Sequence, residues 1–370
     1  MAFQRENDSH AFTGIGSPAT RYLKALRRKY AMLSFLLAAI IILAFYAIIV
    51  GRYDLSLLSI INALLGRVEA KAEIVVWSIR LPRILAALLA GWGLGLSGLA
   101  MQSLLKNPLA SPFTLGISQG AAFGAALAIV ALGNNPVGDS ALAPGFAAKI
   151  ALPGFYTIPV CALLGAMAAT GSILFLAKIK KMAPLAVILA GVALSALFFS
   201  GIVLIQYLAT EAEIAAVVFW TFGDVARANW REIGLMAAAC AMATVFFTLN
   251  QWNLNALSGM EDLARGLGVD VEKIRLRGMF LAALLSSLIT AFCGLIAFLG
   301  LLAPHIARRL AGTDHRLLIP YCCVVGSLLL LAADTAGRLL VGSGALPVGV
   351  LTSFIGAPVF LCLLLRGSSR

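Results

Sequence analysis

Two arginines three residues apart, Arg80 and Arg83, head an apolar stretch that ends at Lys106-Asn107-Pro108, and a third, Arg338, closes another apolar run. A planar guanidinium can grip a carboxylate through two parallel hydrogen bonds. The plainer role is snorkelling at a membrane interface, with Arg338 placed to pair Asp334 four residues earlier. The chain holds no G-x-x-x-x-G-K-[ST] cradle for nucleotide phosphates and so cannot hydrolyse ATP by itself. No paired carboxylates, Ser-His-Asp set or metal-spaced cluster stands out, and His305 in "APHIARR" is assigned no chemistry. The six cysteines, Cys161, Cys240, Cys293, Cys322, Cys323 and Cys362, lie in apolar segments without C-x-x-C spacing and read as small core hydrophobes. The expectation is a chain that is no enzyme and itself binds neither metal nor cofactor.

The elements that position these residues are apolar. Of 370 residues, 61% are hydrophobic and 12% charged, where an ordinary soluble domain carries about 25% charged residues. A soluble surface of this composition would aggregate, so the chain is expected to be an all-α membrane protein surrounded by lipid. The net charge of +12 forms no continuous stripe of the kind nucleic acid requires. Lys and Arg gather instead at the ends of apolar runs, where they set orientation.

Runs long enough to span a bilayer, about 20 residues each, fall near 31–51, 83–105, 113–133, 156–177, 185–208, 233–250, 277–297, 298–312, 318–338 and 346–365. They predict about ten transmembrane helices in one bundle, 31–366, after a cytoplasmic N-terminal segment, 1–30. The first run is read as an uncleaved helix. Nineteen of the 28 Lys and Arg fall on the side of the N-terminus, so both termini are expected in the cytoplasm. The seventh and eighth runs merge, and their turn is expected near Gly294 and Gly300. The Pro/Gly-rich stretch Gly133–Phe155 reads as an outer loop and the charged segment 251–277 as an inner one.

In lipid, helices associate by close van der Waals contact, which small residues permit. Gly91 with Gly95, and Gly116, Gly120 and Gly124, have the G-x-x-x-G spacing of such contacts. Charged residues are scarce deep in the runs. An ion-coupled secondary carrier would keep an acidic residue there, and only Asp334, near a helix end, comes close. The abrupt stop at Asn107-Pro108 frees backbone groups, which suits a cavity wall or an interfacial turn.

Within 251–277, Glu261, Asp262, Arg265, Asp270, Glu272 and Lys273 are too polar for lipid. Ser258 with Glu261 fits a capping box opening a short helix, Gly266 its C-terminal cap, and Asp270 the cap of a second short helix.

With these residues in hand, the chain resembles the FecCD-type permeases, membrane subunits of type II ABC importers for ferric siderophores, haem and cobalamin. The resemblance runs from about Met32 onward through "RLPR" (80–83), "GLSGLAMQSLLKNPLASPFTLGISQGA" (95–121), "ILAGVALSAL" (188–197), "LARGLGV" (263–269), "GLIAFLGLLAPHIARRLAGTDHR" (294–316), "LLLLAADTAGRLL" (328–340) and "LPVGVLTSFIGAPVF" (346–360). It implies a second permease subunit, most simply a homodimer, two cytoplasmic ATPase subunits that carry ATP-Mg, and an external solute-binding protein, all at a prokaryotic plasma membrane. It implies that Arg80, Arg83 and Arg338 receive acidic residues of the binding protein. A cytoplasmic gate is implied at Asn107 and Leu109, facing Pro184 and Leu185. Coupling to the ATPase falls to Ser258, Glu261, Asp262, Arg265, Gly266, Gly268 and Asp270. The cargo it implies is an iron chelate, with haem, cobalamin or an oxyanion such as molybdate as alternatives.

Overall fold

The computed structural model describes residues 18–367 apart from 52, 54, 66–69, 133–153, 180–182, 260 and 341–345. The polar segment 1–17, most of the Gly133–Phe155 connection, Lys180, Lys181 and Arg370 lie outside the described residues.

All regular structure among the described residues is helical. Helix α1 (Pro18–Ile49) is followed by short α2 (Leu57–Leu64) and α3 (Ala70–Ile74), then by a π-helical turn, Val75–Arg80, that runs into α4 (Leu81–Leu104). Next come α5 (Ile117–Val130), α6 (Gly154–Ile179) and α7 (Pro184–Tyr207). A connection holding α8 (Glu211–Thr221) and a 3-10 turn leads to α9 (Trp230–Leu249). Short α10 (Gln251–Ser258) and α11 (Glu261–Gly266) precede α12 (Val271–Cys293). The chain ends with α13 (Leu299–Ala311), α14 (His315–Leu340) and α15 (Val348–Gly367). Among the described residues, seven helices are long and apolar enough to cross a membrane, while α5 and α15 are shorter apolar helices.

The ten expected runs fall on α1, α4, α5, α6, α7, α9, α12, α13, α14 and α15, with three differences that have physical causes. The second run begins well before residue 83, because α3, the π turn and α4 form one rod, Lys71–Leu104. Pro82 has no N–H to donate, and the wider π turn absorbs this, with the Leu81 N–H reaching Val76 O. The turn before α13 uses Gly294 (φ 74°) and Phe298 (φ 63°) rather than Gly300, which lies inside α13. Helix α12 starts at Val271, capped by Asp270, and this brings Arg275 into its second turn.

Helix α4 is the centre of the bundle; 78% of its apolar window is buried, against 11% for α1 and for α7. Its neighbours meet it backbone to backbone. A Cβ on Gly91 would lie 2.3 Å from Gly326 O of α14, and one on Gly98 would lie 1.9 Å from Gly300 O of α13. The same device joins α5 to α6, where a Cβ on Gly124 would lie 2.0 Å from Cys161 O. Gly116 packs closely too, a Cβ there lying 3.0 Å from Gly191 O of α7, and is also the left-handed residue that starts α5 (φ 79°).

Gly98→Val should push α13 off α4 and cost at least the ~1–3 kcal/mol of ordinary overpacking. Gly171→Ala, with nothing within 4 Å of the new methyl, should be neutral or stabilising by up to ~1 kcal/mol. Thermal unfolding in detergent checks both.

Candidate functional site

At one end of the bundle the three arginines gather, and two of them, Arg83 and Arg338, share a single carboxylate. Asp334 of α14 is 1% exposed. Arg83 reaches its Oδ1 through Nε at 2.9 Å and Nη2 at 2.8 Å, and Arg338 Nε lies 3.2 Å from Oδ2. Arg83 also faces Asp224, 3.8 Å away, in the connection before α9. Arg338 Nη2 donates to Thr335 Oγ1 at 3.2 Å, and most other donors go to carbonyls at and just beyond the C-terminus of α1. Arg338 donates to Ala47 O at 2.9 Å and Val50 O at 3.1 Å, and Arg80 donates to Ile48 O, Ile49 O and Tyr53 O. Four C-terminal carbonyls of any helix lack intrahelical partners, and cations there also meet the negative end of the macrodipole. The expected docking arginines are therefore turned inward: Arg80 is 4% exposed, and the Arg83 and Arg338 side chains 12% and 10%. The pairing of Arg338 with Asp334 was legible as a four-residue spacing. Arg83, the second partner, was not, since it joins residues 251 positions apart.

The opposite end carries the residues expected at the gate, Asn107, Leu109, Pro184 and Leu185. Residues 105–116 form a turn bonded to itself. Lys106 takes a left-handed φ of 48°, Asn107 Oδ1 accepts from Leu109 N at 2.8 Å, and Ser111 and Thr114 exchange backbone-to-hydroxyl bonds at 2.9 and 3.1 Å. The turn ends against α7, where a Cβ on Gly191 would lie 2.9 Å from Leu115 Cα. Pro184 opens α7, two turns away, with Leu185 beside it. Leu109 and Leu185 are 44% and 68% exposed in the single chain.

Three polar links tie the short helices α10 and α11 to the foot of α4. Arg275, 1% exposed, donates through Nε to Leu104 O at 2.9 Å and through Nη2 to Glu261 Oε2 at 3.2 Å. Lys106 Nζ donates to Gly259 O at 2.6 Å. His315 lies between Asn255 and Ser103, its Nδ1 2.7 Å from Asn255 Oδ1 and its Nε2 2.8 Å from Ser103 Oγ.

The expected capping in this segment needs correction. Ser258 is the last residue of α10 and donates to Leu254 O at 3.0 Å, so it opens no helix with Glu261. The Glu261 carboxylate instead holds Arg265 at 3.0 Å and Arg275. Gly266 ends α11 within the helix, and Gly268 is the left-handed residue that terminates it (φ 84°). Asp270 does act as a cap, accepting from Lys273 N at 3.1 Å, but of long α12 and not of a second short helix. The pair of short helices is α10 and α11. Asp262 lies in the first turn of α11. Arg275, which sequence reading counted only as an inner positive charge, is the buried centre of the arrangement. Its signal was a single arginine seven places before the first alanine of an apolar run, too weak to single out.

The fold and these two ends define a membrane-embedded subunit: a lipid-facing bundle with a sealed polar cluster at one end and a polar helical pair tied to a self-bonded turn at the other. The model of the FecCD transport family matches residues 37–366, and the chain belongs to that family. A Methanocaldococcus jannaschii protein described as an ABC transporter permease is 44% identical over 350 residues, 95% of this chain and 98% of that one. The Fe(3+)-citrate import system permease protein YfmE of Bacillus subtilis is 33% identical over 342 residues, 91% of this chain and 96% of that one. Other relatives are named for hemin and vitamin B12. A solved structure described as an inward-facing metal-chelate type ABC transporter matches with TM-score 0.77 and 31% identity, covering 91% of this chain and 99% of that one. The chain is a permease subunit of an ABC importer, a multi-pass protein of a prokaryotic plasma membrane, and not itself an enzyme.

Asp334→Asn leaves Arg83 and Arg338 buried around a neutral amide. Breaking such a pair should cost about 3–5 kcal/mol, read as a large fall in thermal stability, whereas Asp262→Asn on exposed α11 should change little. Hydrogen bonding by Arg265, and then by Arg275, holds Glu261 below the usual carboxylate range. Its contribution is complete above that range and is lost as pH falls through the depressed value. Amide exchange in α11, normalised for intrinsic rates, should therefore quicken on acidification in the native chain and less in Glu261→Gln.

Proposed function

We propose that two copies of this chain form the translocation path for a ferric chelate, delivered by an external binding protein and driven by two cytoplasmic ATPase subunits. The ATPases carry ATP-Mg, and this chain binds no cofactor. The observation that carries the coupling half of this reading is the Glu261–Arg275–Leu104 bridge, with Lys106–Gly259 and Asn255–His315–Ser103 beside it.

In this reading α10 and α11 seat on the ATPase, with Asp262, Arg265 and the flanks at Ser258, Gly266, Gly268 and Asp270 forming the seat. ATP binding draws the pair of helices. Because Arg275 grips both α11 and the foot of α4, the turn after α4 moves with them. Asn107 and Leu109 then part from Pro184 and Leu185 of the facing path wall, and the inner gate opens. Burying a charged, bidentate link suits this task, since removing one partner strands the other.

On the outer face, Arg80 and Arg338 hold the end of α1, and Asp334 braces the mouth. Arg83 is the docking residue of the three with an exchangeable partner. An acidic residue of the binding protein competes with partly exposed Asp224 for it. The apolar face of α7, which buries only Val187, Gly191 and Ile202 within the single chain, is where the second copy covers the path. An iron chelate is the favoured cargo on the strength of the Fe(3+)-citrate permease and the metal-chelate type transporter. Haem, cobalamin and molybdate are the competing cargoes.

The chain, reconstituted in nanodiscs with its ATPase and offered binding protein loaded with ferric siderophore, haem, cobalamin or molybdate in turn, should show ATP hydrolysis stimulated by the ferric chelate. Arg275→Gln should keep ATP hydrolysis but lower cargo moved per ATP at least tenfold. Stimulation by another cargo alone would replace the substrate. Unchanged cargo-to-ATP stoichiometry in Arg275→Gln would remove the bridge from the mechanism.

A further inference from the structure

Helices α1, α4, α9 and α14 enclose a groove of about 750 Å³ that runs between the two ends described above and reaches the α10 end at His315. Along α9 its wall runs from Ile233 to Thr248, and Gln251 at the start of α10 follows. That stretch of α9 is ~22 Å long at ~1.5 Å per residue, most of the ~30 Å of a hydrocarbon core. Leu85, Leu88 and Leu89 of α4 face Ile319 and Val324 of α14 across it. The polar groups at depth are spent within the wall. Trp92 Nε1 donates to Thr244 Oγ1 at 3.0 Å, Thr244 donates to Cys240 O at 2.7 Å, and Ser327 donates to Leu88 O at 2.7 Å. What the groove offers an occupant is therefore apolar along its length.

The end of the groove nearest α10 is different. It is closed by Gln251, His315 and Arg316, and Arg316 is shared with a smaller polar cavity of about 240 Å³ that holds Lys29, Tyr22, Tyr30 and Asp314. Asp314 Oδ1 is already engaged by Asn255 Nδ2 at 2.9 Å and Arg316 N at 3.0 Å. The Arg316 guanidinium lies over the Trp252 ring, 5.3 Å from its centroid. Among the described residues neither Arg316 nor Lys29 stands in an ion pair. Helix α1, one flank of the groove, is only 11% buried over its apolar window, so the slot is open to lipid.

A long apolar slot with two cations outside any described ion pair at one end has the polarity of a single kind of ligand. We propose that the groove holds an acyl chain of an anionic phospholipid whose phosphate sits between Arg316 and Lys29. Cationic pockets between helices at the cytoplasmic leaflet bind anionic headgroups for the same reason. The proposal takes from the functional reading only that the α10–α11 end is cytoplasmic, and its test needs no transport.

Trp92 lines the groove at mid-depth, whereas Trp77, Trp220, Trp230 and Trp252 lie toward the helix ends. The full chain in nanodiscs is titrated with phosphatidylglycerol or phosphatidylcholine brominated along the acyl chain, and tryptophan quenching is read against Trp92→Phe. Each juxtamembrane cation contributes about a fivefold factor. Quenching of Trp92 should therefore need roughly tenfold to thirtyfold less phosphatidylglycerol than phosphatidylcholine. The preference should vanish in Lys29→Gln/Arg316→Gln, whose changes lie at the surface. Native mass spectrometry should show one retained anionic lipid in the native chain and none in the double variant. Equal quenching by both lipids, a preference that survives the double variant, or a groove closed by crosslinking to a second copy would each overturn the proposal.

Discussion

Everything in this bundle depends on helices approaching α4 to backbone contact. In a bilayer there is no hydrophobic gain from hiding leucine from lipid, so the central helix must be held by dispersion between closely fitted surfaces. Gly91 against Gly326 and Gly98 against Gly300 supply that fit, and α4 becomes the rod to which α12, α13 and α14 are attached. The peripheral helices α1 and α7 lack such burial. They are held by other means or left for partners.

The two ends of the rod are fastened differently, and the difference suits their tasks. At the Arg80 end, three guanidiniums and one buried carboxylate fix the last turn of α1 to α4 and α14. At the Leu104 end, the fastening runs outward, through Arg275, Lys106 and His315, to short polar helices that cannot enter lipid. In the proposed mechanism one end braces the outer mouth and the other is the handle on the turn that holds Leu109, through which work from an ATPase subunit would arrive.

Much of this was legible in the sequence, and the reasons are physical. Long apolar runs declare spans because lipid tolerates little else, and glycines four apart declare contacts because only small residues let backbones touch. Cap chemistry was only half readable. Asp270 read correctly as a cap, but the Ser258/Glu261 pair matched a capping pattern that the chain does not use, since Glu261 is claimed by Arg265 and Arg275. Two genuine boxes, Thr210 with Glu213 and Asn229 with Glu232, went unread because they lie between the apolar runs at 185–208 and 233–250, where hydropathy marks no element. The arginines gave the sharpest lesson. Spacing placed Arg80 and Arg83 at a helix start, but whether a guanidinium faces out or in depends on carbonyls at residues 48 to 53 and on Asp334, none of which is near in sequence. Contacts between distant positions were the part that one sequence could not disclose.

The central claim is that α11 and the foot of α4 move as one body against α7. It is tested most directly by paired spin labels in the assembled importer, with Cys362→Ser removing the exposed native thiol. Leu263→Cys on α11 and Leu109→Cys on the turn form one pair; Leu109→Cys and Leu185→Cys on α7 form the other. On trapping the ATP-bound state, the first distance should hold while the second changes, and in Arg275→Gln the first should loosen. A first distance that shifts with ATP while the second stays fixed would contradict the account.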